Sequence, residues 1–305
     1  MNTTASSRFA FGAMQFGGTA SEADSAAMYD ACRAAGVTHF DTAYAYTGGA
    51  SERILGALVK PEREAIFLAT KAGYEGGSSR TNILTTFDES RKRLGLDSVD
   101  LLYLHRWDGD TPLEETFETL ATLQQQKLIR HIGVSNFAAW QVMKAQCVAK
   151  SLETRIDFIQ PMYNLVKRQV EVELLPMCHS EAITPCTYSP LGGGLLTGKY
   201  SSESAQGRLV SDHRYAARYG VPAMHEAARQ LSAIAAEVGT HPATLAVAWI
   251  TLNAARPVPI LSARNAAQLA PSLAAIGYEL EPAIAARLQA IFPSPPPATD
   301  RIEES

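Results

Sequence analysis

Short runs of apolar residues recur along this chain, separated by longer stretches in which apolar positions return every three or four residues. The runs fall at residues 9–14, 38–41, 66–70, 99–105, 131–134, 158–161, 184–189 and 257–261. Each is short and apolar almost throughout, the pattern of strands buried on both faces of a parallel sheet. The intervening periodicity predicts amphipathic helices at 21–35, 51–59, 81–94, 113–126, 138–149, 169–179 and 264–276. Residues 222–253 predict two more, 223–238 and 242–252, broken at Gly239. Ser21 and Asp24 occupy capping-box-like positions at the head of the first helix, and Gly36 follows its end. Eight strands alternating with helices predict an α/β fold, a single-domain (β/α)8 TIM barrel spanning 1–292. An open doubly wound sheet is the competing architecture.

Two stretches do not read as barrel elements. Residues 191–220 are Gly- and Ser-rich and then carry several Arg and Tyr, too long for a plain connection and therefore read as a functional loop. The Pro-rich segment 293–305 reads as a flexible tail. The 305 residues suit one large barrel, and 46% hydrophobic content supplies a real core. A net charge of -4 argues against a nucleic acid or an anionic membrane as partner. Neither a signal-peptide pattern nor an apolar run of membrane-spanning length is present, so a cytoplasmic location is expected. Cys32, Cys147, Cys178 and Cys186 have no CxxC spacing and are expected to be reduced, buried small hydrophobes rather than a disulfide frame or a metal site.

A barrel builds its site at the C-terminal ends of its strands, and that rule selects residues directly. Strand two ends at Asp41 with Tyr46 just beyond, strand three at Lys71, and strand four at His105. Strand five ends at Ser135 and Asn136, strand six near Gln160, and strand seven at Tyr188 and Ser189. Tyr, Lys, Asp and His together suit carbonyl reduction. A phenol holds its proton at neutral pH and can donate it. A nearby ammonium favours the phenolate left behind, lowering the phenol pKa, and Asp41 can keep that ammonium charged. His105 can orient the carbonyl oxygen by a hydrogen bond. No side chain carries hydride, so a nicotinamide cofactor is implied. Taken singly, Asp41 also reads as a turn cap and Tyr46 as a surface aromatic, while a lysine at a strand end is more often solvated or ion-paired and a lone histidine like His105 more often a satisfied core residue. The combination raises all four.

No Gly-x-Gly-x-x-Gly follows a strand, so a Rossmann cofactor site is not expected. The Gly-rich loop 190–199 can wrap a pyrophosphate with backbone N–H groups, or serve as a linker. Arg264, read at the start of the last helix, offers a phosphate site where barrels often have one.

These residues resemble the aldo-keto reductase family. The resemblance rests on the segments 40–46, 51–56, 69–71, 100–108, 132–137, 160–164 and 188–191, in order over residues 9–275. It implies an NADP(H)-dependent oxidoreductase acting on a small aldehyde or ketone, with a catalytic set of Asp41, Tyr46, Lys71 and His105. It implies that Ser135, Asn136 and Gln160 hold the nicotinamide carboxamide and that Tyr188 stacks on the ring. Ser189, Pro190, Leu191, Gly193, Leu195 and Lys199 would contact the pyrophosphate, and Ser262, Arg264 and Gln268 the 2′-phosphate and adenine. Met14 and Gln15 would lie near cofactor and substrate, and Asp41 near the nicotinamide as well. The substrate pocket is expected to include Met14, Tyr46, Tyr74, His105 and Trp107, and no metal is expected. The sequence departs from relatives at Leu261, Ser262 and Ser272, which bears on the adenine end.

Two other functions compete. Some relatives, such as potassium-channel β subunits, act mainly as regulatory subunits. The complete set of four residues and the lack of an added N-terminal segment argue against that role. A barrel hydrolase or isomerase would need His-x-His or several carboxylates at strand ends, and Asp41 is the only clear one. The physiological substrate, the direction of reaction and the oligomeric state stay open.

Overall fold

Strand positions alternate between two apolar environments, and this alternation defines the architecture. The computed structural model describes residues 6–200, 207–299, 301 and 303, apart from the side chain of Arg208. In chain order the elements are β1 (Ala10–Gly12), α1 (Glu22–Ala34), β2 (His39–Asp41), α2 (Ala50–Val59), β3 (Phe67–Ala72), α3 (Arg80–Leu94), β4 (Val99–Leu104) and α4 (Leu113–Gln125). There follow β5 (Ile129–Ser135), α5 (Ala139–Ser151), β6 (Ile156–Gln160), α6 (Leu174–Glu181) and β7 (Thr184–Thr187). The last third holds α7 (Arg208–Ser211), α8 (His213–Tyr219), α9 (Pro222–Glu237), α10 (Pro242–Ile250), β8 (Val258–Leu261), α11 (Ala266–Leu273) and α12 (Pro282–Ala290). The eight parallel strands pair in sequence order and close into a barrel, β8 returning to β1. The fold is a single-domain (β/α)8 TIM barrel, as the alternation of elements predicts.

On β3 the inward positions are Phe67, Ala69 and Lys71, while Leu68 and Ala72 pack outward among the helices. The interior also holds Ala10, Leu101, Tyr103, Phe158, Cys186, Val258 and Ile260. Aromatic bulk fills the lower layer, where Phe67 and Phe158 pack around His39, and Asp41 and Lys71 sit above it. Gly133 on β5 is needed for this packing, since a Cβ there would lie 2.4 Å from Tyr103 Cδ1. On the outside, α2 and α3 cross so closely that a Cβ on Gly56 would meet the Leu94 carbonyl oxygen at 2.2 Å. The cap chemistry holds as read: Ser21 Oγ accepts from the Asp24 N–H at 3.1 Å, satisfying one of the helix's orphan donors.

Several boundaries differ from the sequence expectation. Expected strand 9–14 is only Ala10–Gly12 long, because the chain turns over Gln15, whose carbonyl accepts from Gly18 and Ala20. Expected strand 66–70 runs on to Ala72, which places Lys71 inside β3. Expected helix 169–179 begins at Leu174 after a short 3-10 turn. Helix α11 starts at Ala266 with Asn265 as its cap, so Arg264 precedes the helix instead of opening it. The segment 191–220 holds α7, α8 and a 3-10 turn in its described part, and residues 201–206 lie outside the described residues. Helix α12 was not anticipated, although Pro282 at its first position is an ordinary start signal. Buried Arg168 ties the segment after it, donating to the carbonyls of Gln289 and Phe292 and, at 2.8 Å, to Ser294 Oγ. The first residues of the expected tail are thus tethered, while 300, 302, 304 and 305 lie outside the described residues.

Of the cysteines, Cys32, Cys178 and Cys186 are buried, but Cys147 is exposed. The buried stripe of α5 runs Val142, Ala145, Gln146, Ala149, and Cys147 falls off it. Gln146 takes the buried place, its Oε1 accepting from the Ile156 N–H at 2.7 Å.

Candidate active site

The alternation that fills the barrel delivers polar side chains to one mouth. His39 and Asp41 point inward on β2, as do Phe67, Ala69 and Lys71 on β3, and Lys71 stands in register with Tyr103 of β4. Lys71 is 1% exposed and Asp41 3%. The Lys71 ammonium donates to Asp41 Oδ1, and to the Thr42 carbonyl at 2.8 Å. Burial works against both charges, lowering the Lys71 pKa and raising that of Asp41. For Lys71 the attraction of Asp41 and Tyr46 outweighs burial and leaves its pKa raised. For Asp41 burial prevails despite Lys71 and Gln160, and its pKa is raised. The arrangement at neutral pH is an ion pair, because each partner is the other's compensation.

A chain of hydrogen bonds carries the constellation across the mouth. Gln160 Nε2 on β6 donates to Asp41 Oδ2 at 2.9 Å, and Ser135 Oγ on β5 donates to the Gln160 carbonyl at 2.9 Å. Asn136, in the left-handed region at φ 59°, donates from Nδ2 to the His105 carbonyl and to Ser135 Oγ, each at 3.0 Å. Asn tolerates that backbone better than most residues. Tyr188 Oη donates to Asn136 Oδ1 at 2.8 Å. Asn164 is buried and donates from Nδ2 to the Ser189 carbonyl at 2.9 Å. Glu52 is fully buried and accepts from Thr70 Oγ1 at 2.8 Å on the outer face of β3.

Tyr46 follows β2 in a tight turn and stands over this pair, its ring centroid 4.9 Å from Lys71 Nζ. The same ring meets His105 edge-on, with centroids 5.7 Å apart at 86°. Burial raises the Tyr46 pKa, Lys71 opposes the rise and Asp41 adds to it, and the net direction is upward. This corrects the expectation of a lowered phenol pKa: the ammonium acts as foreseen, but the desolvation of the ring's surroundings outweighs it. His105 is pushed down to about 3 by burial, with Lys71 and Arg106 adding to the effect, so its imidazole is neutral at ordinary pH. Its Nδ1 is buried with no hydrogen-bond partner among the described residues.

Tyr74 packs on His105 with centroids 4.8 Å apart. Tyr46, Tyr74 and His105 therefore come together. Trp107 is engaged elsewhere, its ring against Phe137 at 5.2 Å and Trp140 at 5.7 Å. Met14 is 37% exposed, and buried Gln15 is occupied with its own turn, accepting from Thr19 Oγ1. Tyr188 and Ser189 are half-buried, Pro190, Leu195 and the backbone of Gly192 are buried, and Leu191 and Gly193 are half-buried. Gly193 lies under α8, where a Cβ would come within 2.6 Å of Tyr215 Cδ1. Lys199 folds back onto Tyr200, Nζ 4.9 Å from the ring. Ser262, Arg264 and Gln268 are exposed, and Asn265 Oδ1 takes the Gln268 N–H at 2.9 Å. Arg264 forms no ion pair among the described residues. Among the described residues there is no group of three or more His, Cys, Asp or Glu able to hold a metal, and no helix long and apolar enough to cross a membrane.

A closed parallel barrel with one polar, hydrogen-bonded mouth is the frame of a barrel enzyme. The sequence model of the Aldo/keto reductase family matches residues 8–292. The chain belongs to the aldo/keto reductase family, a family of NAD(P)H-using oxidoreductases. Its relatives include a probable voltage-gated potassium channel subunit beta of Oryza sativa, 32% identical over 96% of this chain and 95% of the relative. An uncharacterized oxidoreductase of Bacillus subtilis is 31% identical over 95% of this chain and 93% of the relative. An aflatoxin B1 aldehyde reductase of Mus musculus is 38% identical over 65% of this chain and 55% of the relative.

Proposed function

We propose that this chain is an NADP(H)-dependent reductase of small aldehydes or ketones, with Tyr46 as the proton donor. The observation that carries the reading is the buried Asp41–Lys71 pair set against the Tyr46 ring, with neutral His105 facing that ring. The residues around it fit a nicotinamide dinucleotide. His105 Nδ1 is an orphaned buried nitrogen, Tyr188 offers a half-buried aromatic face, and Arg264 is an exposed guanidinium beside a capped helix start. Ser135, Asn136 and Gln160 would hold the carboxamide. Ser189, Pro190, Leu191, Gly193, Leu195 and Lys199 would lie along the pyrophosphate. Ser262, Arg264 and Gln268 would meet the adenosine phosphate, with Met14 and Gln15 near the ring. When bound, the reduced cofactor supplies a hydride to the carbonyl carbon.

The chain's own residues do the rest. Burial keeps Tyr46 protonated at neutral pH, so a phenol O–H is available to the carbonyl oxygen. Lys71 lies close enough to stabilise the phenolate that remains; Asp41 and the Thr42 carbonyl hold Lys71 in place, and Gln160 holds Asp41. His105 donates one N–H to the substrate oxygen and cannot compete as the acid, because it carries no second proton at neutral pH. Tyr74 and Met14 line the entrance, while Trp107 belongs to its flank. The barrel at 1–292 carries this activity in the cytoplasm, and 293–305 is a Pro-rich tail.

The test is NADPH oxidation, followed by absorbance, with a panel of activated aldehydes such as nitrobenzaldehydes. Turnover unaffected by EDTA supports the reading. Activity lost to EDTA and restored by a divalent ion would overturn the metal-free scheme. The full-length match to potassium channel β subunits favours a second reading, a regulatory subunit. Absence of turnover on the whole panel, with NADPH still bound, would favour it.

A further inference from the structure

The mouth carries a guanidinium that no carboxylate among the described residues neutralises. Arg106 directly follows His105, and its Cζ lies 5.2 Å over the Tyr74 ring, which in turn packs on His105. Arg106 is exposed and forms no ion pair among the described residues. The acidic groups nearest in sequence and loop are otherwise engaged. Asp108 accepts from the Ser78 N–H at 2.7 Å, the Asp110 N–H at 2.9 Å and Thr111 Oγ1 at 2.7 Å, and Asp41 is paired with Lys71. On the α8 side, Arg214 is paired with Asp212 at 2.8 Å, whereas Arg218 lies 5.5 Å over the Tyr215 ring. Stacking on Tyr74 orients the Arg106 guanidinium, and no hydrogen bond among the described residues takes up its N–H donors, the arrangement by which arginine recognises planar oxyanions.

We infer that Arg106 is a specificity-determining anchor for an anionic group, carboxylate or phosphate, on the carbonyl substrate. The inference rests on the reductase reading and narrows it to a substrate class. The Arg106–Tyr74–His105 stack sets the distance from anchor to reacting carbon, since the carbonyl oxygen must reach Tyr46 and His105 while the anion meets Arg106. Neutral aldehydes have no partner for the guanidinium, and the exposed site makes the attraction salt-dependent.

The experiment uses substrates of equal shape and different charge. In the wild type, kcat/KM for 4-formylbenzoate should exceed that for its methyl ester, and the ratio should fall as salt rises. In Arg106→Gln that ratio should drop about ten- to a hundredfold, the loss expected for one hydrogen bond to a charged group. Arg106→Lys should keep part of it. The pair glyceraldehyde 3-phosphate and glyceraldehyde repeats the test for phosphate, and the pair with the larger Arg106-dependent ratio identifies the natural anion. A wild-type ratio near unity for both pairs overturns the proposal. So does a ratio that survives Arg106→Gln and disappears in Arg218→Gln. If no aldehyde is turned over, the reductase reading fails separately, and calorimetric binding of 4-(hydroxymethyl)benzoate against its methyl ester still decides the role of Arg106.

Discussion

Gln160 Nε2 donates to Asp41 Oδ2 at 2.9 Å across 119 positions of the chain, joining β6 to β2 over the barrel mouth. The bond opposes the rise that burial imposes on the Asp41 pKa and so helps to keep the carboxylate charged opposite Lys71. A hydrogen bond to a charged group contributes roughly 1.5–3 kcal/mol. Gln160→Leu is therefore expected to lower kcat/KM by about ten- to a hundredfold. Steady-state kinetics with the most active aldehyde checks this, and an unchanged value would mean that Lys71 alone holds Asp41.

Tyr46→Phe keeps the ring against His105 and removes the proton. General acid catalysis typically contributes ~10²–10⁴-fold, and kcat should fall by about that much with cofactor affinity little changed. Lys71→Met should also depress kcat. The sign of its pH effect follows from the present balance: Tyr46 is already raised by burial, and Lys71 is what opposes the rise. Without Lys71 the phenol titrates higher still, so the alkaline limb of the reduction rate should move upward. Near-normal turnover of Tyr46→Phe would overturn the assignment of Tyr46 as the proton donor.

His39 predicts acid sensitivity of the fold. It is fully buried, with Nδ1 2.8 Å from Ser6 Oγ and Nε2 without a partner among the described residues, and burial followed by the Lys71 charge lowers its pKa to about 3. The unfolded chain takes up this proton near pH ~6.5 and the folded one does not, so stability is complete above that pH and declines as pH falls toward 3. The slope from one such group approaches about 1.36 kcal/mol per pH unit. Asp41, raised in the folded state, acts with the opposite sign, but it is common to wild type and variant. Urea unfolding of wild type and His39→Leu between pH 4 and 7 should give a shallower slope for the variant. Identical slopes would count against a neutral buried His39.

Arg264 is expected to carry much of any preference for NADPH over NADH, which differ in the 2′-phosphate alone. Arg264→Ala should weaken NADPH by about ten- to a hundredfold and leave NADH nearly unchanged. Fluorescence titration of both cofactors decides. Equal weakening would mean that Arg264 supports the part of the cofactor that both share.

The barrel and the positions of Asp41, Lys71, His105, Ser135 and Gln160 are legible in the chain because both rest on local rules. A strand buried on both faces reads as a continuous apolar run, and its C-terminal end is where a barrel places polar groups. Boundaries were less legible. Arg264 falls before α11 because Asn265 is the better cap, and α12 escaped notice in a Pro-rich surrounding. Other features depend on distances between segments remote in sequence. Residue type foretells that a lysine lowers a tyrosine's pKa, but only packing decides that burial of Tyr46 outweighs Lys71. Trp107 follows His105 by two positions, yet its neighbours are Phe137 and Trp140 from the β5–α5 connection. Cys147 is apolar by type and exposed by helical phase. The sequence by itself determined which residues reach the barrel mouth, because strand periodicity and strand ends are local. The tertiary structure decided their protonation, their partners and the placing of the Arg106 guanidinium over Tyr74, because desolvation and charge pairing depend on what the rest of the chain brings alongside.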